Sequence, residues 1–343
     1  MPILAISSAL LVAKDRVMKA FVDFMADSLY GPDGFYESGG RAGRQGDFLT
    51  SPEVGPLFGA VIARFLDAEW NRLGRPDHFT VADVGAGPGT LARAILTAQP
   101  ECASAMTYLA VEISAAQRAE HPEGVISCAD LPDEPFVGVI IANELLDNMP
   151  FRLVVHDDGW REAFVDESGG RPVERLGPRL DPVPSFLPYD AVLGARAPIQ
   201  TEASRWLVKA RHQLIEGTVV VFDYVSRTTL DLVIRPWREW LRTYRGHERG
   251  DHYLAAPGSQ DITVEVALDQ FPPPSVVRSQ SQWLQFHGIE DLVAEGKAYW
   301  TEHAAHPDLA AIMMRSRVSE SEALLDPDGL GGFTVLEWRV DAA

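Results

Sequence analysis

The sequence predicts an α/β protein built on a parallel sheet, and three observations carry that reading. Short apolar segments, Thr80–Val84, Tyr108–Glu112 and Phe136–Ala142, alternate with helix-compatible ones, Leu91–Ala98 and Ala115–His121; strands alternating with helices indicate parallel pairing through crossover helices. Phe136–Ala142, FVGVIIA, is apolar almost throughout, as expected of a strand buried on both faces. The first strand runs directly into Gly85-Ala86-Gly87-Pro88-Gly89. Without Cβ atoms the backbone can turn sharply there and approach a ligand, ahead of a helix whose free N–H groups point back at it.

Bulk properties bound the rest. The 343 residues, 46% hydrophobic and 23% charged, suffice for one large or two modest domains. No apolar run is long enough to span a bilayer. The opening MPILAISSALLVAK has no basic residues ahead of its apolar part and no clear cleavage site. It therefore reads as the start of a strand or helix rather than a targeting signal. Cys102 and Cys128 are the two cysteines; they form no metal or redox spacing, which suits a reduced, cytoplasmic setting. Nine histidines are scattered, and His303 and His306 lack a companion cluster, so no metal is expected. The net charge of −19 argues against nucleic acid as a partner. It is compatible with a cationic substrate or a basic protein, and equally with solubility alone.

In chain order, Val12–Leu29 has apolar residues near helical spacing and ends at Gly31-Pro32-Asp33-Gly34. A glycine- and arginine-rich loop, Phe35–Gly46, and the polar DFLTSPEVGP follow. Thr50 or Ser51 looks like an N-cap, Pro52 a first-turn proline and Glu53 a first-turn acid, before an apolar helix Leu57–Leu73. Val125–Ser127 is a candidate short third strand. Beyond Asn143, Phe151–Val155 and Trp160–Val165 flank Asp157-Asp158-Gly159 as a hairpin. Arg171–Ile199 reads as a proline-rich, irregular insertion. Glu202–Ile215 is an amphipathic helix leading to a strand at Thr218–Tyr224, and Ser226–Phe271 shows little pattern. Ser275–Val277 reads as an edge strand, Ile289–Ser316 as mostly helical and Phe333–Val340 as a final strand.

The glycine loop narrows the function. A dinucleotide fingerprint would want a glycine where Thr90 stands; G-x-G-x-G instead fits the S-adenosylmethionine loop of class I methyltransferases, a ligand-free structural turn being the alternative. Glu112 ends the second strand, placed to accept hydrogen bonds from both ribose hydroxyls. Asp130, after the third strand, can meet the adenine amino group. Phe136–Ala142 runs into Asn143-Glu144-Leu145-Leu146-Asp147-Asn148-Met149-Pro150, at the carboxyl end of the sheet where ligands of open α/β folds lie. Methyl transfer is an in-line displacement that needs an aligned, dry nucleophile. Carboxylates can hold a guanidinium nitrogen for it by bidentate bonds; helix N-capping is the other reading of Glu144 and Asp147.

Together these segments resemble the MidA family of class I methyltransferases, which includes the mitochondrial complex I assembly-factor arginine methyltransferase. The matching pieces are Gly46-Asp47-Phe48-Leu49-Thr50-Ser51-Pro52-Glu53, Gly85–Leu91, Val111-Glu112-Ile113-Ser114 and Ala142–Pro150. Phe222-Asp223-Tyr224, Leu241–His247 and Pro257–Thr263 match more loosely. The resemblance implies a Rossmann-like methyltransferase sheet with an N-terminal helical segment and an inserted substrate-side region. Its divisions would be 1–78, a helical substrate-lid segment; 79–150, the cofactor-binding half; 151–217, an inserted hairpin and proline-rich region; and 218–343, the rest of the sheet with a substrate-side insertion. It implies S-adenosyl-L-methionine as cofactor, held by Thr50, Ser51, Pro52, Asp83, Gly85, Ala86, Gly87, Gly89, Glu112, Ile113, Asp130, Leu131 and Asn143. Asp47, Glu53, Glu144 and Asp147 would form the catalytic, acceptor-orienting set. The implied acceptor is an arginine of a complex I-type protein subunit, with a homodimer as one option. Departures fall in the C-terminal half: Val225 stands where the family has glycine, Glu265 where it has histidine, and Ser279–Leu284 replaces a Thr-Gln-Gly-x-Phe-Leu pattern. They keep a small-molecule acceptor open as the alternative, and a non-catalytic, cofactor-binding assembly factor as another.

Overall fold

The computed structural model describes residues 10–13, 16–37, 50–246 and 248–342, and every structural statement concerns these. Seven strands build the main sheet: β1 (Phe79–Val84), β2 (Met106–Val111), β3 (Ile126–Cys128), β4 (Phe136–Asn143), β5 (Leu214–Asp223), β6 (Val276–Ser279) and β7 (Thr334–Val340). Their spatial order is β6-β7-β5-β4-β1-β2-β3. Pairing is parallel from β3 through β5, while β7 runs antiparallel between β5 and β6. Strand order reverses between β1 and β4, and the crevice at the carboxyl ends of those two strands is where such a sheet takes its ligand.

Both faces are covered. On β1, Val81 packs with Leu57, Val61 and Phe65 of the helix Pro56–Arg72 and with Ile95 of Thr90–Ala98. Ala82 and Val84 face the other way, toward Trp206 and Leu207 of Thr201–His212. This alternation follows from the pleat. At the sheet centre Gly138 and Gly217 lie opposite each other on β4 and β5. A Cβ on Gly138 would sit 1.8 Å from the Thr80 carbonyl oxygen, with φ at +156°. Gly138→Ala must therefore push β4 off β1. We expect about 3 kcal/mol or more of lost stability in chemical denaturation, since backbone, not a flexible side chain, has to yield.

A second sheet carries Leu10–Ala13, Arg16–Ala20, Arg152–His156, Trp160–Asp166, Val173–Arg179 and Arg196–Ile199. A smaller one pairs Leu241–Arg245 with Glu248–Arg249 and Asp261–Val264. Phe21, Phe24 and Met25 join the helix Phe21–Tyr30 to Phe151 and Leu153 and to Trp240 and Ile262. That shared core brings Tyr30 and Tyr36 to the crevice.

Several sequence expectations are corrected. The N-terminal helix begins at Phe21, not near Val12; Lys19 and Ala20 instead pair with Val165 and Phe164. Arg171–Ile199 contains two strands, the first of which, VERLGPR, keeps most side chains exposed and so lacks an apolar pattern. β5 starts at Leu214, so the division drawn at 217/218 falls inside a strand. Ser226–Phe271 holds the three-stranded sheet. Ile289–Ser316 is mostly helical, as expected, in two helices, Ile289–His303 and Leu309–Leu325, the second capped by Asp308, whose side chain accepts from the Ala311 N–H at 2.7 Å. Among the described residues no helix is long and apolar enough to cross a membrane.

Candidate active site

One cleft lies over the carboxyl ends of β1, β2 and β4. Its lining includes the glycine loop, Glu112 and Ile113, Asn143–Leu145, Asn148–Pro150, Thr50, Pro52 and Glu53, and the tyrosines Tyr30 and Tyr36. Gly85, Gly87 and Gly89 have φ of +75°, +54° and +83°, a region that L side chains rarely occupy. The Gly85 and Ala86 N–H groups both donate to the Val111 carbonyl, at 2.9 and 3.1 Å, clamping the loop to the end of β2. His121 Nε2 lies 2.9 Å from the Gly87 carbonyl oxygen and buttresses the loop from outside.

Glu112 links the two walls. Its carboxylate accepts from the Gly87 N–H at 3.1 Å and the Ser114 N–H at 2.8 Å, and only 8% of the residue is exposed. Burial raises its pKa, opposed by those two backbone bonds. Each carboxylate oxygen keeps a lone pair after these bonds, so Glu112 can hold the loop and still accept from a ligand. Asp83 is buried at the end of β1, takes a 3.0 Å bond from the Tyr108 hydroxyl, and is pushed up to about 7, mainly by burial.

β4 delivers the other half. Glu144 has a φ of +49°, a strained position for this residue type. Its N–H donates to the Phe222 carbonyl at 2.8 Å, which fixes the turn against β5. The carboxyl takes a 3.2 Å bond from Asn143 Nδ2 and is pushed up to about 8 by burial and by the charge of Asp223. Asn143 Oδ1 is a buried acceptor without a partner among the described residues, and Asn143 lines the cleft. Tyr30 and Tyr36 stack with ring centroids 5.4 Å apart. The Tyr30 hydroxyl donates to the Asn148 carbonyl at 3.0 Å, and that of Tyr36 to Asp261 Oδ1 at 3.3 Å.

Of the residues singled out from sequence, Thr50, Pro52, Glu53, Asp83, Gly85, Ala86, Gly87, Glu112, Ile113, Asn143 and Glu144 share this cleft. Ser51, Gly89, Asp130, Leu131 and Asp147 do not line it. Ser51 is fully buried, its hydroxyl donating to Gln280 Oε1 at 2.9 Å. Asp130 instead pairs with Lys209, at 3.0 and 3.1 Å. Leu131 belongs to the core under Trp206. Asp147 is buried behind Glu144, and Asp47 lies outside the described residues. Sequence reasoning gave no role to Tyr30, Tyr36, Gln117 or Asn148, all of which line the cleft. Nor did it give one to Asp223 and Asp261, although both sit in the loosely matching segments; an acid at the end of β5, beside β4, was the available signal.

A sheet of this order, with a three-glycine turn and an acid at the end of the neighbouring strand, defines a class I methyltransferase fold. The family model Methyltransf_28, of S-adenosyl-L-methionine-dependent methyltransferases, matches residues 61–272, and the chain belongs to that family. The cofactor is accordingly S-adenosyl-L-methionine, and the site fits it. Gly85 and Gly87 leave a cradle that Cβ atoms would crowd, Glu112 and Asn143 offer open acceptors, and no Lys or Arg lines the cleft among the described residues. The chain is 26% identical over 286 residues to "Protein arginine methyltransferase NDUFAF7 homolog, mitochondrial" of Drosophila melanogaster, covering 71% of this chain and 63% of that protein. The Mus musculus protein of that name is 26% identical over 288 residues, with the same coverage. The chain thus spans 63% of the length of these curated relatives. A COG1565 superfamily member from Burkholderia thailandensis, crystallised with S-adenosyl-homocysteine, superposes with a TM-score of 0.80 at 26% identity, over 95% of this chain and 89% of that one. A native crystal structure of a COG1565 superfamily protein from Burkholderia thailandensis superposes with a TM-score of 0.77 at 26% identity, over 95% of this chain and 88% of that one.

Proposed function

We propose that this chain methylates the guanidinium of an arginine in a protein. The observation that carries the reading is electrostatic: the described cleft lining contains Glu53, Asp83, Glu112 and Glu144 and no Lys or Arg. Such a lining favours cations, and a guanidinium is a flat cation whose N–H fork matches carboxylates. The relatives named as protein arginine methyltransferases support the same acceptor class.

Bound S-adenosyl-L-methionine supplies an electrophilic methyl group on a sulfonium. In this reading the chain's own residues bind, orient and take up a proton. Gly85, Ala86 and Gly87 present backbone to the cofactor, Glu112 accepts from the ribose hydroxyls, and Asn143 Oδ1 accepts from the amino-acid moiety. Thr50 and Pro52 close the cleft from the opposite wall. Glu144 holds the acceptor guanidinium and takes the proton its nitrogen loses, with Glu53 across the cleft. Asp130, committed to Lys209, receives no role in this proposal.

The test is incubation of a host lysate with the purified chain and methyl-labelled cofactor, then acid hydrolysis of the protein fraction. Label should be recovered as methylarginine. Label in small molecules, in another amino acid, or nowhere despite cofactor binding would overturn the reading.

A further inference from the structure

Gly87 has a φ of +54° and no Cβ, so sterics alone do not hold the two peptides that flank it. The peptide before it is held by Glu112, which accepts from the Gly87 N–H at 3.1 Å. The peptide after it joins Gly87 to Pro88, which has no N–H. The Gly87 carbonyl is therefore the one hydrogen-bonding group that this second peptide offers. It lies 2.9 Å from His121 Nε2, and His121 Nδ1 lies 2.9 Å from Ser127 Oγ on β3. A carbonyl only accepts, so Nε2 carries the proton. In the neutral ring Nδ1 then accepts from the Ser127 hydroxyl.

The segment that carries His121 is itself anchored. The Ser114 N–H donates to Glu112 Oε1 at 2.8 Å, and the Ser114 side chain caps the helix Ala115–Arg118. The Arg118 guanidinium donates to the Glu112 and Ile113 carbonyls at 2.6 and 2.7 Å, which ties that helix to the end of β2. Arg93 reaches the Glu120 carbonyl from the helix Thr90–Ala98. The next glycine admits the segment: a Cβ on Gly89 would lie 2.9 Å from Pro122 Cδ and 3.3 Å from His121 Cδ2. β3 pairs with β2 at Ser127 and Ala110. A closed ring of contacts thus runs from Gly87 through Glu112, β2, Ser127 and His121 back to Gly87. Gly87 and Glu112 line the cleft and His121 does not, so the imidazole acts on the loop from its outer side.

We propose that His121 is a positioning residue for S-adenosyl-L-methionine: through the Gly87 carbonyl it fixes the loop conformation that the cofactor binds, and Ser127 orients its ring. Released from the imidazole, the Gly87–Pro88 peptide turns about a glycine with little steric resistance. The free loop then samples other conformations, and the cofactor must order it on binding. A pair of bonds outside the cleft is in this way expressed as affinity inside it.

The experiment is titration calorimetry of the full chain with S-adenosyl-homocysteine, with thermal unfolding of each variant alongside. His121→Leu keeps much of the side-chain volume and loses both bonds. Its dissociation constant should rise about tenfold, the scale of one hydrogen bond. His121→Gln places an amide N–H near the Nε2 position and should restore affinity to within about threefold of the unaltered chain. Ser127→Ala should weaken binding by about threefold by itself and add nothing to His121→Leu, because the hydroxyl acts only through the ring. A lowered thermal midpoint with normal affinity in His121→Leu would overturn the proposal and leave His121 a structural contact. So would an affinity loss in His121→Gln as large as in His121→Leu, or a Ser127→Ala effect of equal size in both backgrounds. Unchanged affinity in Ser127→Ala would overturn it too, and that arm holds even where His121→Leu does not fold.

Discussion

Glu144→Gln is expected to leave S-adenosyl-homocysteine affinity within about twofold while lowering kcat by roughly 10²- to 10³-fold, the scale of losing one preorganised charge at a reacting centre. The substitution keeps the side-chain volume and an oxygen for the 3.2 Å bond from Asn143. It removes the negative charge that holds a guanidinium and the oxygen that accepts its proton. The thioether product is neutral and does not sense that charge, so its affinity separates transfer from cofactor binding. Stability offers a second readout with a definite sign. Glu144 is raised from 4.5 to about 8, so its contribution to the cofactor-free protein is complete below the ordinary carboxylate range and is lost as pH rises through about 8. Denaturation profiles should therefore fall less steeply from pH 5 to 8 in Glu144→Gln than in the unaltered chain. Retained transfer would reduce Glu144 to a structural residue of the strained turn.

The parts of this site that sequence made legible are those whose chemistry is local. β1, β2 and β4 are apolar because helices bury both faces, and each ends in a residue that breaks the apolar run. Gly85, Glu112 and Asn143 could therefore be placed at one edge before any contact was known. Asp130 shows the limit of that logic. A loop acid looks the same whether it faces a ligand or Lys209, and only the packing of the helix Thr201–His212 decides. Asp223 and Asp261 stayed without a role because their closeness to Asp147 arises from β5 pairing with β4 and from Val264 bonding across to the Asp147 carbonyl. Those contacts span about eighty and about a hundred and twenty residues of chain, which no local pattern encodes. Tyr30 and Tyr36 reach the cleft through the aromatic core around Phe21 and Phe151. The N-terminal hairpin was read as helix because Val17, Phe21 and Phe24 share helical spacing, yet Lys19 and Ala20 are committed to pairing with Val165 and Phe164. Tertiary pairing overrode the periodicity there.

Gly87→Val should lower S-adenosyl-homocysteine affinity by at least about 100-fold, or roughly 2.7 kcal/mol, in a protein that still folds. Gly87 has a φ of +54°, which a β-branched residue adopts only under strain of about 1–3 kcal/mol. Its Cβ would also lie 3.3 Å from Gln117 Oε1. Relieving either conflict rotates the Gly87 peptide. That breaks the 3.1 Å bond to Glu112 and the 2.9 Å contact of the Gly87 carbonyl with His121, so the loop and the acid lose their registration together. Gly89 provides the contrast. It too has positive φ, at +83°, but its Cβ would meet Pro122 Cδ at 2.9 Å and His121 Cδ2 at 3.3 Å, away from the cleft. Gly89→Ala should therefore lower the thermal midpoint with a much smaller change in affinity. Calorimetry with the thioether and thermal unfolding of both variants distinguish the two. Equal affinity for Gly87→Val and the unaltered chain would remove the loop from the cofactor site. An equal affinity loss in both variants would mean that helix Thr90–Ala98, rather than the Gly87 peptide, sets cofactor affinity.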